Sequence, residues 1–188
     1  FPSVPLGFTP HRHQEEAFER LGGRRKRSTI VATGTGSGKT EGFLLPILDY
    51  CLRDAANPGI KAILVYPMNA LATDQAGRIA RMVHGNDLLR AKVKAGLFIG
   101  QDAGRPTRDT QMGPTRIITD RETLRESPPD ILLTNYKMLD YLLLRPGDQG
   151  LWQHNSRGTL RLPAADEIHT FDGAQGTDLA CLIRRLKR

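Results

Sequence analysis

Short apolar runs and stretches of helical period alternate along this chain. Ser28-Thr29-Ile30-Val31, Ile60 to Tyr66, Ala95 to Ile99 and Ile131-Leu132-Leu133 are apolar or β-branched at nearly every position. Strands buried on both faces read this way, without the in–out alternation of a half-solvated sheet. Between them lie helices. Ala17, Phe18 and Leu21 follow a predicted Thr9 cap with Pro10 at the first helical position, and Gly22-Gly23 is the stop. Phe43, Leu44, Leu45, Ile47, Leu48 and Leu52 give a helix apolar on most sides, bent at Pro46. Another helix runs from a Thr134-Asn135 cap through Leu144. The last places Leu179, Leu182, Ile183 and Leu186 on one face, with Arg184, Arg185, Lys187 and Arg188 largely opposite. The pattern predicts an α/β fold, a mostly parallel sheet with helices on both faces.

Two stretches fit less well. Leu160-Arg161-Leu162-Pro163-Ala164-Ala165 is placed as a further central strand, where proline is scarce because it donates nothing to the ladder. A bulge or a short strand is therefore expected at Pro163. Residues 100–129 are rich in Gly, Pro, Thr and Arg and show little periodicity, with one short strand expected at Arg116–Thr119. Loops of this length are usually functional or mobile. Arg105, Arg108, Arg116, Arg121 and Arg125 are candidates for phosphate contacts, although solvated arginines are the simpler reading for most of them. Trp152 is expected to anchor the turn-rich residues 145–158 by packing.

Composition narrows the classes. At 188 residues with 39% hydrophobic content, residues 1–188 are expected to form one domain with a sizeable core. No apolar run approaches the roughly 18 residues of a membrane span, so no membrane partner and a cytoplasmic location are expected. Cys51 and Cys181 sit in helical patterns without a CxxC partner and read as small core residues. The net charge of +7 suits a polyanionic partner, although many soluble domains are as basic. Arg24-Arg25-Lys26-Arg27 is more simply a solvated turn than a nucleic-acid contact.

Candidate chemistry begins at Thr33-Gly34-Thr35-Gly36-Ser37-Gly38-Lys39-Thr40, between the first predicted strand and the apolar helix. Glycines let consecutive backbone N–H groups turn inward, and a helix N-terminus adds partial positive charge. Thr35, Gly36, Ser37 and Gly38 would cradle phosphates, Lys39 would reach the β- and γ-phosphates, and the Thr40 hydroxyl would bind Mg²⁺. Gln14 precedes this loop on the first helix, and its amide matches the N6/N7 edge of adenine. Asp166-Glu167-Ile168-His169 closes the last predicted strand. Asp166 would hold Mg²⁺, and Glu167 would take a proton from the attacking water.

With these residues in place, the chain resembles superfamily 2 helicases of the DEAD/DEAH-box group along essentially its whole length. Gln14 resembles the Q motif glutamine, Ala32 through Thr40 motif I, Tyr66 through Gln75 motif Ia, and Asp166 to His169 motif II. Gly100 to Asp102 and Thr134-Asn135 resemble further strand-binding motifs. The wording is most similar to large bacterial DNA helicases of the Lhr and MrfA types and their phage-defence relatives.

The resemblance implies a RecA-like P-loop NTPase domain using ATP and Mg²⁺, with Lys39, Asp166, Glu167 and His169 as catalytic residues. It also implies a motor that moves along one nucleic-acid strand, DNA before RNA and usually 3′ to 5′. Asn69, Thr73, Gln101, Thr134 and Asn135 would grip that strand, and His169 would couple the nucleotide site to its neighbours. Thr33 replaces the Gly or Ala of the first loop position, and Pro163-Ala164-Ala165 replaces the usual apolar strand. A second RecA-like domain, with its arginine finger, is expected elsewhere in a longer parent chain. A P-loop kinase or GTPase would need a phosphoacceptor site or an Asn-Lys-x-Asp, and neither occurs. The alternative is a non-catalytic nucleotide- or nucleic-acid-binding module, against which stand Lys39, Thr40, Asp166 and Glu167.

Overall fold

The computed structural model describes residues 4, 7–23, 27–34, 36–100 and 108–186. They fall into two compact units, Phe1–Asn57 and Pro58–Arg188. The smaller holds two helices that pack on each other, α1 (Arg12–Gly22) and α2 (Lys39–Arg53). Helix α2 runs through Pro46 and buries Leu44, Leu45, Ile47, Leu48 and Cys51. Helix α1 begins two residues later than Pro10, because the Gln14 side chain accepts the His11 N–H at 2.8 Å and supplies the cap there.

The larger unit is built on a parallel sheet of β1 (Ala62–Tyr66), β2 (Ala95–Phe98), β3 (Ile131–Asn135) and β4 (Leu162–Ala165), in the order β2-β3-β1-β4. Its helices are α3 (Asn69–His84), α4 (Asp87–Lys92), α5 (Arg121–Glu126), α6 (Tyr136–Leu144) and α7 (Gly173–Leu186). Ile63, Val65 and Leu132 pack into one core with Leu139 and Leu142 of α6 and Leu179 and Leu182 of α7. Helix α3 covers the other face, burying Ala72, Ala76, Ile79, Ala80 and Val83. Each fully buried Leu or Ile contributes about 1.5–3 kcal/mol relative to exposure, which is why the consecutive apolar runs become the strands. At the amino ends of the strands the buried Lys61 ammonium meets Asp130 Oδ1 at 2.5 Å, and Asp130 Oδ2 accepts the Lys94 N–H at 2.7 Å. Removing one partner of such a pair costs about 3–5 kcal/mol.

Because all pairings are parallel, the carboxyl ends of the strands share one edge. Val65 stands opposite Thr134 and Ala165, and Tyr66 opposite Asn135. The residues that follow β1, β3 and β4 therefore emerge side by side, as ligand-binding segments do in open α/β sheets.

Several expectations are corrected. Ser28–Val31 is not a strand, and Ile30 is 85% exposed. A strand forms only against a neighbour, and the described residues of Phe1–Asn57 contain none. Pro163 sits on an edge strand of the described sheet, not a central one, and the register through it is unbroken. Leu162 and Asp166 donate to Lys61 O and Val65 O, so by alternation the Pro163 nitrogen faces away from β1 and the ladder loses nothing. The strand expected at Arg116–Thr119 shrinks to one bridge between Ile118 and Gly96.

The 100–129 excursion contains α5, and of its described arginines Arg108 and Arg116 are exposed, as the simpler reading expects, while Arg121 and Arg125 are partly buried. Arg116 pairs with Asp109, Arg121 bonds Ile99 O, and Arg125 grips the buried Asp148. Cys51 is buried, but Cys181 lies outside the Leu179–Leu182 stripe and is exposed. Trp152 does anchor its loop, its Nε1–H donating to Leu142 O at 2.9 Å. Arg24, Arg25, Lys26, Arg105, Lys187 and Arg188 lie outside the described residues.

Candidate functional site

In the smaller unit, the backbone preceding α2 turns through two left-handed glycines, Gly36 and Gly38, each with φ of 77°. Gly38 is the N-cap of α2, so the loop delivers its N–H groups to a helix start. Lys39 Nζ donates to Thr33 O at 2.9 Å and Gly34 O at 3.1 Å, and Thr33 and Ser37 share a hydroxyl bond of 2.7 Å. An ammonium resting on neutral carbonyls of its own loop is poised for a stronger, anionic partner. A Cβ added at Gly34 or Gly36 would meet nothing within 4 Å, so open space borders the loop. Thr35 lies outside the described residues.

Gln14 is 2% exposed. Its Oε1 accepts the His11 N–H, and its Nε2 donates to Gly38 O at 2.8 Å. The structure thus places Gln14 as the tie between α1 and the loop, a role its sequence position did not disclose. Among the described residues, one N–H and one lone pair of the amide are not used by these two bonds.

In the larger unit, Asp166 leaves β4 with its N–H on Val65 O at 3.0 Å, and its Oδ1 accepts the Glu167 N–H at 2.9 Å. Glu167 has φ 51° and ψ 39°, the one non-glycine residue with positive φ among the described residues. Such a conformation costs of order 1–3 kcal/mol and concentrates at functional sites. It is held by Thr170, whose N–H and hydroxyl both bond Glu167 O. Glu167 Oε2 lies 3.4 Å from His169 Nδ1, so the imidazole orients the carboxylate and pairs with it when protonated.

Tyr66, at the end of β1, is 1% exposed, and its hydroxyl has no protein partner among the described residues. Burial first, and the Asp166 charge second, push its pKa upward, so the phenol stays neutral. No group of three or more His, Cys, Asp or Glu among the described residues forms a self-sufficient metal site. Each unit nevertheless carries a hard oxygen donor of the kind Mg²⁺ takes, the Thr40 hydroxyl in the smaller and the Asp166 carboxylate in the larger.

Beyond the ends of β1 and β3 lies a cleft of about 600 Å³, lined by Met68, Asn69, Asn135, Lys137, Met138 and Tyr141 among others. Asn135 joins two segments there. Its Nδ2 donates to Asn69 Oδ1 at 2.7 Å, and its Oδ1 accepts the Met138 N–H at the start of α6. Thr73 is exposed one turn along α3, its hydroxyl on Asn69 O. Thr134 is fully buried and donates to Phe98 O at 2.6 Å, so its side chain serves the sheet and not the cleft. Gln101 lies outside the described residues. Met68 and Tyr141 were not anticipated; the helical spacing from Lys137 to Tyr141 was the available signal.

Comparison with known proteins places these residues in context. The DEAD/DEAH box helicase family model matches residues 11–188. Druantia protein DruE of Escherichia coli is 29% identical over 94% of this chain and 15% of its own length. An ATP-dependent helicase of Methanocaldococcus jannaschii is 32% identical over 96% of this chain and 23% of its own. The crystal structure of the DUF1998 helicase MrfA bound to DNA superimposes with a TM-score of 0.68 at 28% identity, covering 95% of this chain and 20% of that one. This chain therefore spans less than a quarter of the length of these relatives.

Proposed function

The chain belongs to the DEAD/DEAH box helicase family, and from that premise we propose that it is the ATP-binding half of a motor that moves along single-stranded nucleic acid. The supporting observation is the loop: two left-handed glycines ahead of α2, with Lys39 held by nothing stronger than backbone carbonyls. In this reading the Gly36–Thr40 backbone binds the phosphates of ATP and the Lys39 ammonium moves from Thr33 O and Gly34 O to them. Gln14 fixes the loop and offers its remaining N–H to adenine. Thr40 and Asp166 would each offer an oxygen donor to Mg²⁺, which would neutralise phosphate charge when bound. Glu167, oriented by His169, takes a proton from the attacking water.

Asn69, Thr73 and Asn135 grip the strand backbone. DNA is favoured over RNA because the MrfA relative was crystallised with DNA. Turnover depends on a second RecA-like domain of the full-length protein for its arginine finger. Among the described residues no helix is long and apolar enough to cross a membrane, and the proposed place of action is the cytoplasm, at the nucleoid in a bacterium.

Calorimetric titration with Mg²⁺-ATP tests the nucleotide assignment. Lys39→Ala should weaken binding about 10- to 150-fold, the equivalent of roughly 1.5–3 kcal/mol for one charge-assisted hydrogen bond. Equal affinity of variant and unmutated chain would overturn it.

A further inference from the structure

The cleft beyond β1 and β3 carries more apolar and aromatic surface than a backbone grip uses. Met138 and Tyr136 are buried in it, while Met68 and Tyr141 are 62% and 47% exposed. Its polar lining is neutral amide (Asn69, Asn135, Gln175), with Lys137 the one cation and no carboxylate among the described lining residues. The Arg145 guanidinium lies over one face of the Tyr141 ring, 4.3 Å from its centroid, and brings positive charge there, leaving the other face for stacking. Asp140, the acid on the same helix, is paired with Arg185. The combination is an open, largely apolar platform with positive charge at its border, over a space of about 600 Å³.

A nucleotide has the complementary chemistry: a flat face that stacks, polar edges that meet amides, and an anionic phosphate. We propose that this cleft accepts an unstacked base of the bound strand, lying against Tyr141 and Met68 with its phosphate toward Lys137. The inference rests on the strand-binding reading above and adds to it a base-dependent component that a grip on phosphates lacks. Stacking on an aromatic side chain tolerates any base, so the site raises affinity without reading sequence. It would hold one nucleotide in register while Asn69 and Thr73 carry the backbone past it.

Fluorescence anisotropy with two DNA strands of equal length, oligothymidylate and a fully abasic strand, separates the possibilities. The unmutated chain should bind the base-bearing strand about tenfold more tightly than the abasic one. Tyr141→Ala should erase that difference and leave abasic binding unchanged, and Tyr141→Phe, which keeps the ring, should retain it. Equal affinity of the unmutated chain for both strands would overturn the base site and leave the backbone grip standing. So would a Tyr141→Ala variant that matches the unmutated chain, the outcome expected if this face instead docks a partner protein, or one that weakens both strands alike. Failure of the unmutated chain to bind either strand would overturn the strand-binding reading itself.

Discussion

At Gly38 the backbone has φ of 77°, which strains any residue with a side chain, and an added Cβ would stand 2.5 Å from Gln14 Nε2, so that amide would have to shift. The left-handed conformation costs a non-glycine residue about 1–2 kcal/mol, and displacing Gln14 from Gly38 O removes a hydrogen bond worth about 1 kcal/mol. Gly38→Ala should therefore destabilise the chain by roughly 2–3 kcal/mol in urea unfolding and weaken ATP binding. An unchanged midpoint would show that the loop relaxes freely and that Gln14 does not fix it. Glu167 is the reverse case, a residue with a side chain held left-handed where glycine would be easier. Its carboxylate is the group the proposed chemistry needs, which accounts for keeping strain there.

Among the elements, α6 ties the strand edge to the cleft through one residue. Asn135 ends β3, caps α6 through Met138 N–H and reaches Asn69 at the start of α3. Asn135→Ala should cost about 0.5–2 kcal/mol, seen as a lowered thermal midpoint, because the cap is lost. A variant as stable as the parent would mean water replaces the side chain without penalty. This element was legible in advance, since a polar cap before an apolar helical run has a local cause. The strands β1, β2 and β3 were legible too, because burial on both faces writes itself as continuous apolar runs. Ser28–Val31 carries the same pattern but has no neighbouring strand among the described residues of its own unit, and pairing is not a local property. Pro163 was puzzling for a related reason: sequence gives composition, not which side of a strand is open. Helix α5 escaped notice because six residues show little period, although Asp120, which caps Thr123 N–H, was a usable sign.

Taken whole, the candidate residues divide between the units: the glycine loop and Gln14 in Phe1–Asn57, Asp166 to His169 and the cleft beyond β1 and β3 in Pro58–Arg188. Motif spacing singled out both groups as candidates, since glycine turns and paired acids require particular residue types. What spacing withheld was the use of individual side chains, such as the burial of Thr134 and the anchoring by Gln14. Turnover by the full-length protein with single-stranded DNA is where the proposed chemistry is exposed. Glu167→Gln keeps size and hydrogen bonding while removing the base. ATP should bind as before, and strand-stimulated turnover should fall about 10²–10⁴-fold. Turnover by Glu167→Gln equal to that of the unmutated protein would contradict the assignment of this chain as the hydrolytic half of a motor.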